Sequence, residues 1–73
     1  MASRVPVARK NFVVVSAKGE DYVVISVGPA VEDIAVGDVV FIYTGLAFWR
    51  ELDGKQYIFV PENNVFGTAQ RTN

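Results

Sequence analysis

Apolar and polar positions along this chain fall into short extended runs, and nowhere do they recur with a helical period. Phe12-Val13-Val14-Val15, Tyr22-Val23-Val24-Ile25-Ser26-Val27, Val39-Val40-Phe41-Ile42-Tyr43, Ala47 to Leu52, Lys55 to Val60 and Val65 to Ala69 are each rich in the β-branched and aromatic residues that suit a pleated surface. Between them stand turn residues. Ala17-Lys18-Gly19-Glu20 separates strands at Asn11 to Ser16 and Asp21 to Val27, which predicts a hairpin. Gly28-Pro29 ends the second strand, and a short acidic loop from Ala30 to Val36 leads to the Gly37-Asp38 turn. Asp53-Gly54 between two such runs is the strongest short-range hairpin signal in the chain, because both turn positions favour positive φ. Pro61-Glu62-Asn63-Asn64 is the last turn.

The run from Val39 to Tyr43 has no polar side chain to offer water on either face, so the pattern predicts that it is buried on both. The expected fold class is all-β, a small closed or partly open β-barrel of about six short strands. Residues 1–10 read as an extended N-terminal arm along an edge, with Pro6 disfavouring a helix. Residues 11–69 form the single barrel domain, and residues 70–73 are a polar tail.

The order of these pieces resembles the barrel of GroES-type co-chaperonins. The similarity runs over about residues 5 to 69, through Pro6, Phe12-Val13-Val14-Val15, Tyr22 to Gly28, Val36-Gly37-Asp38-Val39-Val40-Phe41, the Asp53-Gly54 hairpin and Tyr57 to Val65. The resemblance implies a GroES-like barrel and, as a function, the capping of a chaperonin ring. In that family a long mobile loop with an aliphatic triplet lies between the first two barrel strands. Here its place holds Ala17-Lys18-Gly19-Glu20, and the place of the roof hairpin holds only Pro29 to Ala35. The chain therefore lacks the mobile loop and most of the roof hairpin.

Size changes the picture next. A chain of 73 residues is one domain, and folding hides only about 60% of the surface that the open chain would expose. The chain has no Cys and no His, which rules out disulfide staples and zinc sites of Cys/His type. Self-association or attachment to a larger body is then the expected source of added stability. No apolar run approaches the roughly 20 residues that a membrane helix requires, so no membrane partner is expected. Met1-Ala2-Ser3-Arg4 lacks an apolar signal core, which points to a cytoplasmic location, or to a virion for a viral chain.

Net charge is −1, unevenly spread. Arg4, Arg9, Lys10 and Lys18 precede any acid, and Glu20, Asp21, Glu32, Asp33 and Asp38 follow without an intervening base. One reading is a solvated surface; another is a basic arm meeting the acidic loop of a neighbouring subunit.

Catalytic chemistry has little to build on. Ser3, Ser16 and Ser26 lack a His partner and would need Lys10 or Lys18 as base, and Glu32, Asp33 and Asp38 do not have the spacing of a calcium loop. The expectation is no enzyme and no cofactor or metal. Phe48, Trp49, Tyr57 and Phe59, with Arg50 and Lys55 nearby, suggest a stacking platform for single-stranded nucleic acid, but the slightly negative net charge runs against it. The leading expectation is a non-enzymatic structural barrel acting through protein contacts in a symmetric assembly, for instance a capsid-stabilising decoration protein. A reduced co-chaperonin and a nucleic-acid-binding barrel are the alternatives. The expected interface residues are Arg4, Arg9, Lys10, Leu46, Trp49, Arg50 and Phe66, with Trp49 either covering the barrel mouth or anchoring a contact beside Phe66 and Leu46. The partner would be a second copy or a larger protein shell.

Overall fold

The computed structural model describes residues 4–69. They form six strands, β1 (Phe12–Lys18), β2 (Asp21–Val27), β3 (Val39–Ile42), β4 (Phe48–Leu52), β5 (Lys55–Pro61) and β6 (Val65–Ala69). All pair antiparallel in one sheet of order β4-β5-β1-β2-β3-β6. Single 3-10 turns at Thr44–Leu46 and Glu62–Asn64 connect β3 to β4 and β5 to β6. The fold is all-β, as expected, and the sheet curls without closing, so among the described residues β4 and β6 each pair with one strand only and form its edges. Among the described residues no helix is long and apolar enough to cross a membrane.

Turn chemistry sets the registers. At Asp53-Gly54 both residues take positive φ, 51° and 84°, so β4 and β5 pair from Leu52 opposite Lys55 to Phe48 opposite Phe59. The β1–β2 turn is tighter than expected: strand pairing extends to Lys18 opposite Asp21, leaving only Gly19 and Glu20 in the loop. Before β3, Gly37 adopts φ 97°, and the Val24 N–H donates to the Asp38 carbonyl at 2.9 Å, so the turn itself continues the β2 ladder.

The inner face of the curled sheet carries the main core. Val13 and Val15 of β1, Val24 of β2, Val40 and Ile42 of β3, and Ile58 and Val60 of β5 pack there, with Ile34 from the acidic loop closing one end. β4 adds no buried residue to this cluster.

A second cluster lies on the outer face. Val14 points away from Val13 and Val15, yet it too is fully buried, packed with Ala8 and Tyr57 and flanked by Phe12, Ile25, Leu52 and Phe59. A bulge in β2 makes this possible: Val14 pairs with Ser26 and Val15 with Val24, and the extra residue, Ile25, packs into the outer cluster.

The arm supplies the cover. Residues 4–9 are not an edge segment, contrary to the sequence pattern; they cross the outer face from the β4–β5 turn to the end of β2. The Ala8 N–H donates to Ser26 Oγ at 2.9 Å, which ties the arm to β2 and gives that serine a structural role. Lys10 then takes φ 58°, and the Phe12 N–H donates to the Arg9 carbonyl at 3.0 Å, turning the chain into β1. Gly28 has to lack a side chain here because the Arg9–Lys10 backbone of the arm passes directly over it.

The strand from Val39 departs from expectation. It ends at Ile42, and only Val40 and Ile42 are buried; Phe41 and Tyr43 are exposed. The reason is that the sheet is single-layered at β3, so alternation sends every second side chain outward and the arm does not reach far enough to cover it.

A Cβ at Gly28 would overlap the Lys10 carbonyl oxygen and sit 2.7 Å from the Arg9 carbonyl carbon. Gly28→Ala should therefore lift the arm off β2 and destabilise the protein by about 1–3 kcal/mol, the range for overpacking. A thermal melt should fall by several degrees, since about 1 kcal/mol shifts a domain of this size by roughly 4–8 °C. An unchanged melting temperature would mean that the arm does not need this close approach.

Candidate protein-contact surface

Large apolar side chains stay exposed at both free edges of the sheet, and each is placed there by the local backbone. On the β6 side, Phe41 pairs with Gly67 and Ile42 with Val65, so Phe66 is an extra, bulged residue. The bulge lets Val65 turn toward the core while Phe66 faces water, 73% exposed, beside Phe41. Their ring centroids are 6.3 Å apart with planes at 25°, a stacked pair. Gly67 offers a bare stretch of backbone against which the Phe41 ring rests, since a Cβ there would come within 3.4 Å of it.

On the β4 side, pairing opposite Phe59 and Tyr57 puts Phe48 and Arg50 on the outer face, while Trp49, opposite Ile58, belongs to the inner face. Inner register does not make Trp49 part of the core: it is 46% exposed, because among the described residues the sheet stops at β4. Phe48 is 61% exposed. Leu46 and Tyr43, also exposed, sit on the short link that runs from β3 to β4. The Tyr43 N–H donates to the Asn64 carbonyl at 3.2 Å, which anchors this link to the turn before β6.

Of the residues expected at an interface, the fold places Leu46, Trp49 and Arg50 on the β4 side and Phe66 at the opposite edge. Arg4, Arg9 and Lys10 do not join them as one basic patch. Arg4 is engaged within its own chain: its Nη2 and Nε donate to the Asp53 carboxylate at 3.1 and 3.3 Å, and its backbone N–H donates to Oδ2 at 2.7 Å. Arg4 thus pairs with the β4–β5 turn, outside the Glu20-to-Asp38 acidic stretch. Arg9 and Lys10 lie exposed at the turn into β1, where their carbonyls accept the Phe12 and Ala30 N–H groups.

Phe41 escaped the sequence reading because an all-apolar run hides which of its faces is covered. Phe48, Tyr57 and Phe59 share the outer face, yet Tyr57 is buried and Phe59 packs into the outer cluster, while Trp49 lies on the other side of β4. The four aromatics therefore do not form one flat platform.

The acids gather elsewhere. Glu62 Oε2 accepts the backbone N–H groups of Glu32 and Asp33, each at 3.1 Å, and so folds the acidic loop against the start of β6. A cleft of about 530 Å³ opens there, lined by Glu32, Asp33, Glu62, Phe66 and Thr68 among others. Asp38 Oδ2 accepts the Ala35 N–H at 3.0 Å and holds the far end of the same loop.

The Arg4 hydrogen bonds, side chain first and backbone second, hold the Asp53 carboxyl below its ordinary value of 3.8. A carboxylate depressed in the folded state adds stability above its unfolded pKa and loses it as pH falls through the folded one. Arg4→Ala should return the Asp53 midpoint, read by NMR titration of its carboxyl carbon, toward the ordinary value, and should leave stability near neutral pH little changed, as expected for an exposed pair. An unmoved midpoint would show that the clasp does not hold in solution.

No protein-family model matches this chain, and no curated protein matches it.

Proposed function

We propose that this protein is a non-enzymatic structural barrel that works by contact with other protein subunits in a symmetric assembly. One observation carries the reading: the two free edges of a single small sheet both display large apolar side chains to solvent, Phe41 and Phe66 at one and Phe48 and Trp49 at the other. Exposed apolar side chains gathered at particular edges mark association surfaces, and aromatic residues with arginine supply most of the binding energy at such surfaces. The short chain adds a motive, since a thin core benefits from surface covered by neighbours. A decoration protein seated at subunit junctions of a shell is one instance of this class.

The co-chaperonin alternative is a reduced lid: with only a two-residue turn between β1 and β2 in place of the gripping segment, it would have to hold a chaperonin ring by another edge.

The contact reading predicts that the mass of the purified protein, followed by analytical ultracentrifugation over a range of concentrations, exceeds that of the monomer at the upper end. Trp49→Ala should weaken this association while the circular dichroism spectrum keeps its β signature, because Trp49 contributes to neither buried cluster. Unfolding of Trp49→Ala would instead assign the side chain to the core, and a wild-type monomer at every concentration would count against self-assembly.

A further inference from the structure

The same edges differ in chemistry, and the difference points to how two copies meet. β6 reads Val65-Phe66-Gly67-Thr68-Ala69, without a charge or a proline. Natural edge strands are commonly shielded by lysine, proline or covering elements, and an edge without them offers unpaired N–H and C=O groups to another strand. The bulge at Phe66 leaves Gly67, Thr68 and Ala69 as regular ladder positions, paired on their other side with Phe41, Val40 and Val39. β4, the opposite edge, is also five residues long and carries Phe48, Trp49 and Arg50.

Strand direction decides what these edges can do together. Six strands in strict antiparallel order leave β4 and β6 running in opposite directions. A second copy placed head to tail, its sheet continuing the first, therefore presents β4 antiparallel to β6, with no reversal of either sheet. In that arrangement the end of β4 lies beside the start of β6. The end of β4 is the Asp53-Gly54 turn with Lys55 and the clasped Arg4; the start of β6 is the Glu32, Asp33 and Glu62 cleft. Counting Arg4 with residues 48–55, the β4 side holds three bases, Arg4, Arg50 and Lys55, against two acids, Glu51 and Asp53. The cleft lining contains three acids and no base. Edge meets edge with opposite charge.

We infer that the partner at β6 is a second copy of this chain, whose β4 adds to the sheet as a seventh strand in a heterologous, head-to-tail contact. This rests on the contact reading above and names its partner and geometry. The register that keeps inner and outer faces matched sets Arg50 opposite Gly67, Trp49 opposite Thr68 and Phe48 opposite Ala69. Arg50 then lies on the outer face over the backbone at Gly67, next to the Phe41–Phe66 pair, where a guanidinium gains from the ring faces. Trp49, left uncovered on the inner face, gains a neighbour at Thr68. Because the two surfaces differ, the contact closes into a ring if the rotation permits and otherwise runs on as a filament.

A complementation experiment tests this. Phe66→Glu blocks the β6 edge and leaves β4 intact; Trp49→Glu does the reverse. Each variant alone should self-associate at least roughly tenfold more weakly than wild type, the size of effect of one lost anchor. An equimolar mixture should form a one-to-one dimer and stop there, because each variant keeps one working edge. Circular dichroism checks folding, and Thr68→Glu with Arg50→Glu, at exposed positions of the same edges, replaces the pair if either first variant unfolds. A mixture that stays monomeric, or a Trp49→Glu protein that still dimerises like wild type, overturns the pairing. Wild-type association that persists in both variants overturns the pairing alone and leaves the contact reading standing. A wild-type protein that is monomeric throughout overturns both.

Discussion

The double burial of β1 is the constraint from which the rest follows. Val13, Val14 and Val15 are consecutive, so alternation sends Val14 to the face opposite its neighbours, and all three are nonetheless shielded from solvent. A single curled sheet covers only its inside. Something else must lie over Val14, and in this chain it is the N-terminal arm. Burying one valine side chain is worth about 1.5–3 kcal/mol, and domains are stable by only about 5–15 kcal/mol in all, so the outer cluster is a sizeable share of what keeps so short a chain folded. The features around it serve that contact: the β2 bulge that turns Ile25 outward, Ser26 receiving the Ala8 N–H, Gly28 leaving room for the Arg9–Lys10 backbone, and Arg4 holding the arm at the β4–β5 turn.

Among the described residues the arm lies over β5, β1 and β2 on the outer face and does not extend over the two margins of the sheet, where the aromatic side chains are exposed. The asymmetry between margins comes from the local backbone. At β6 the bulge presents Phe66 beside Phe41 and leaves an uncharged ladder; at β4 the strand is regular, and its charged residues alternate across both faces. Exposed aromatics at the same edges as the outermost strands are what the proposed contact with another chain would cover.

The sheet also separates the charges more than the linear order suggests. The basic residues of the arm are spread along its path, with Arg4 neutralised at one end and Arg9 and Lys10 at the other. The acids of the 30–36 loop are drawn together by Glu62, which reaches back from the far side of β5 to accept two backbone N–H groups. The polarity on which the proposed head-to-tail contact draws is therefore between the acidic start of β6 and the basic end of β4. The basic arm and the acidic loop of the linear sequence do not make that pair.

Local chemistry was legible without coordinates: six extended runs, the Asp53-Gly54 hairpin, a turn within Ala17 to Glu20, and the break at Gly28-Pro29 all follow from φ preferences and side-chain branching, which act within a few residues. The exposure of Leu46, Trp49, Arg50 and Phe66, which their proposed contact role requires, was also legible, because large aromatics in short strands exceed what a small core can take up. Tertiary structure alone decided the rest. Val39 to Tyr43 and Phe12 to Val15 are equally apolar runs, yet one is covered on both faces and the other on one; which strand the arm crosses depends on contacts between residues far apart in the chain, such as Ala8 with Ser26 and Arg4 with Asp53. Period-2 alternation states that two faces exist, and only the packing of distant segments says which of them meets water.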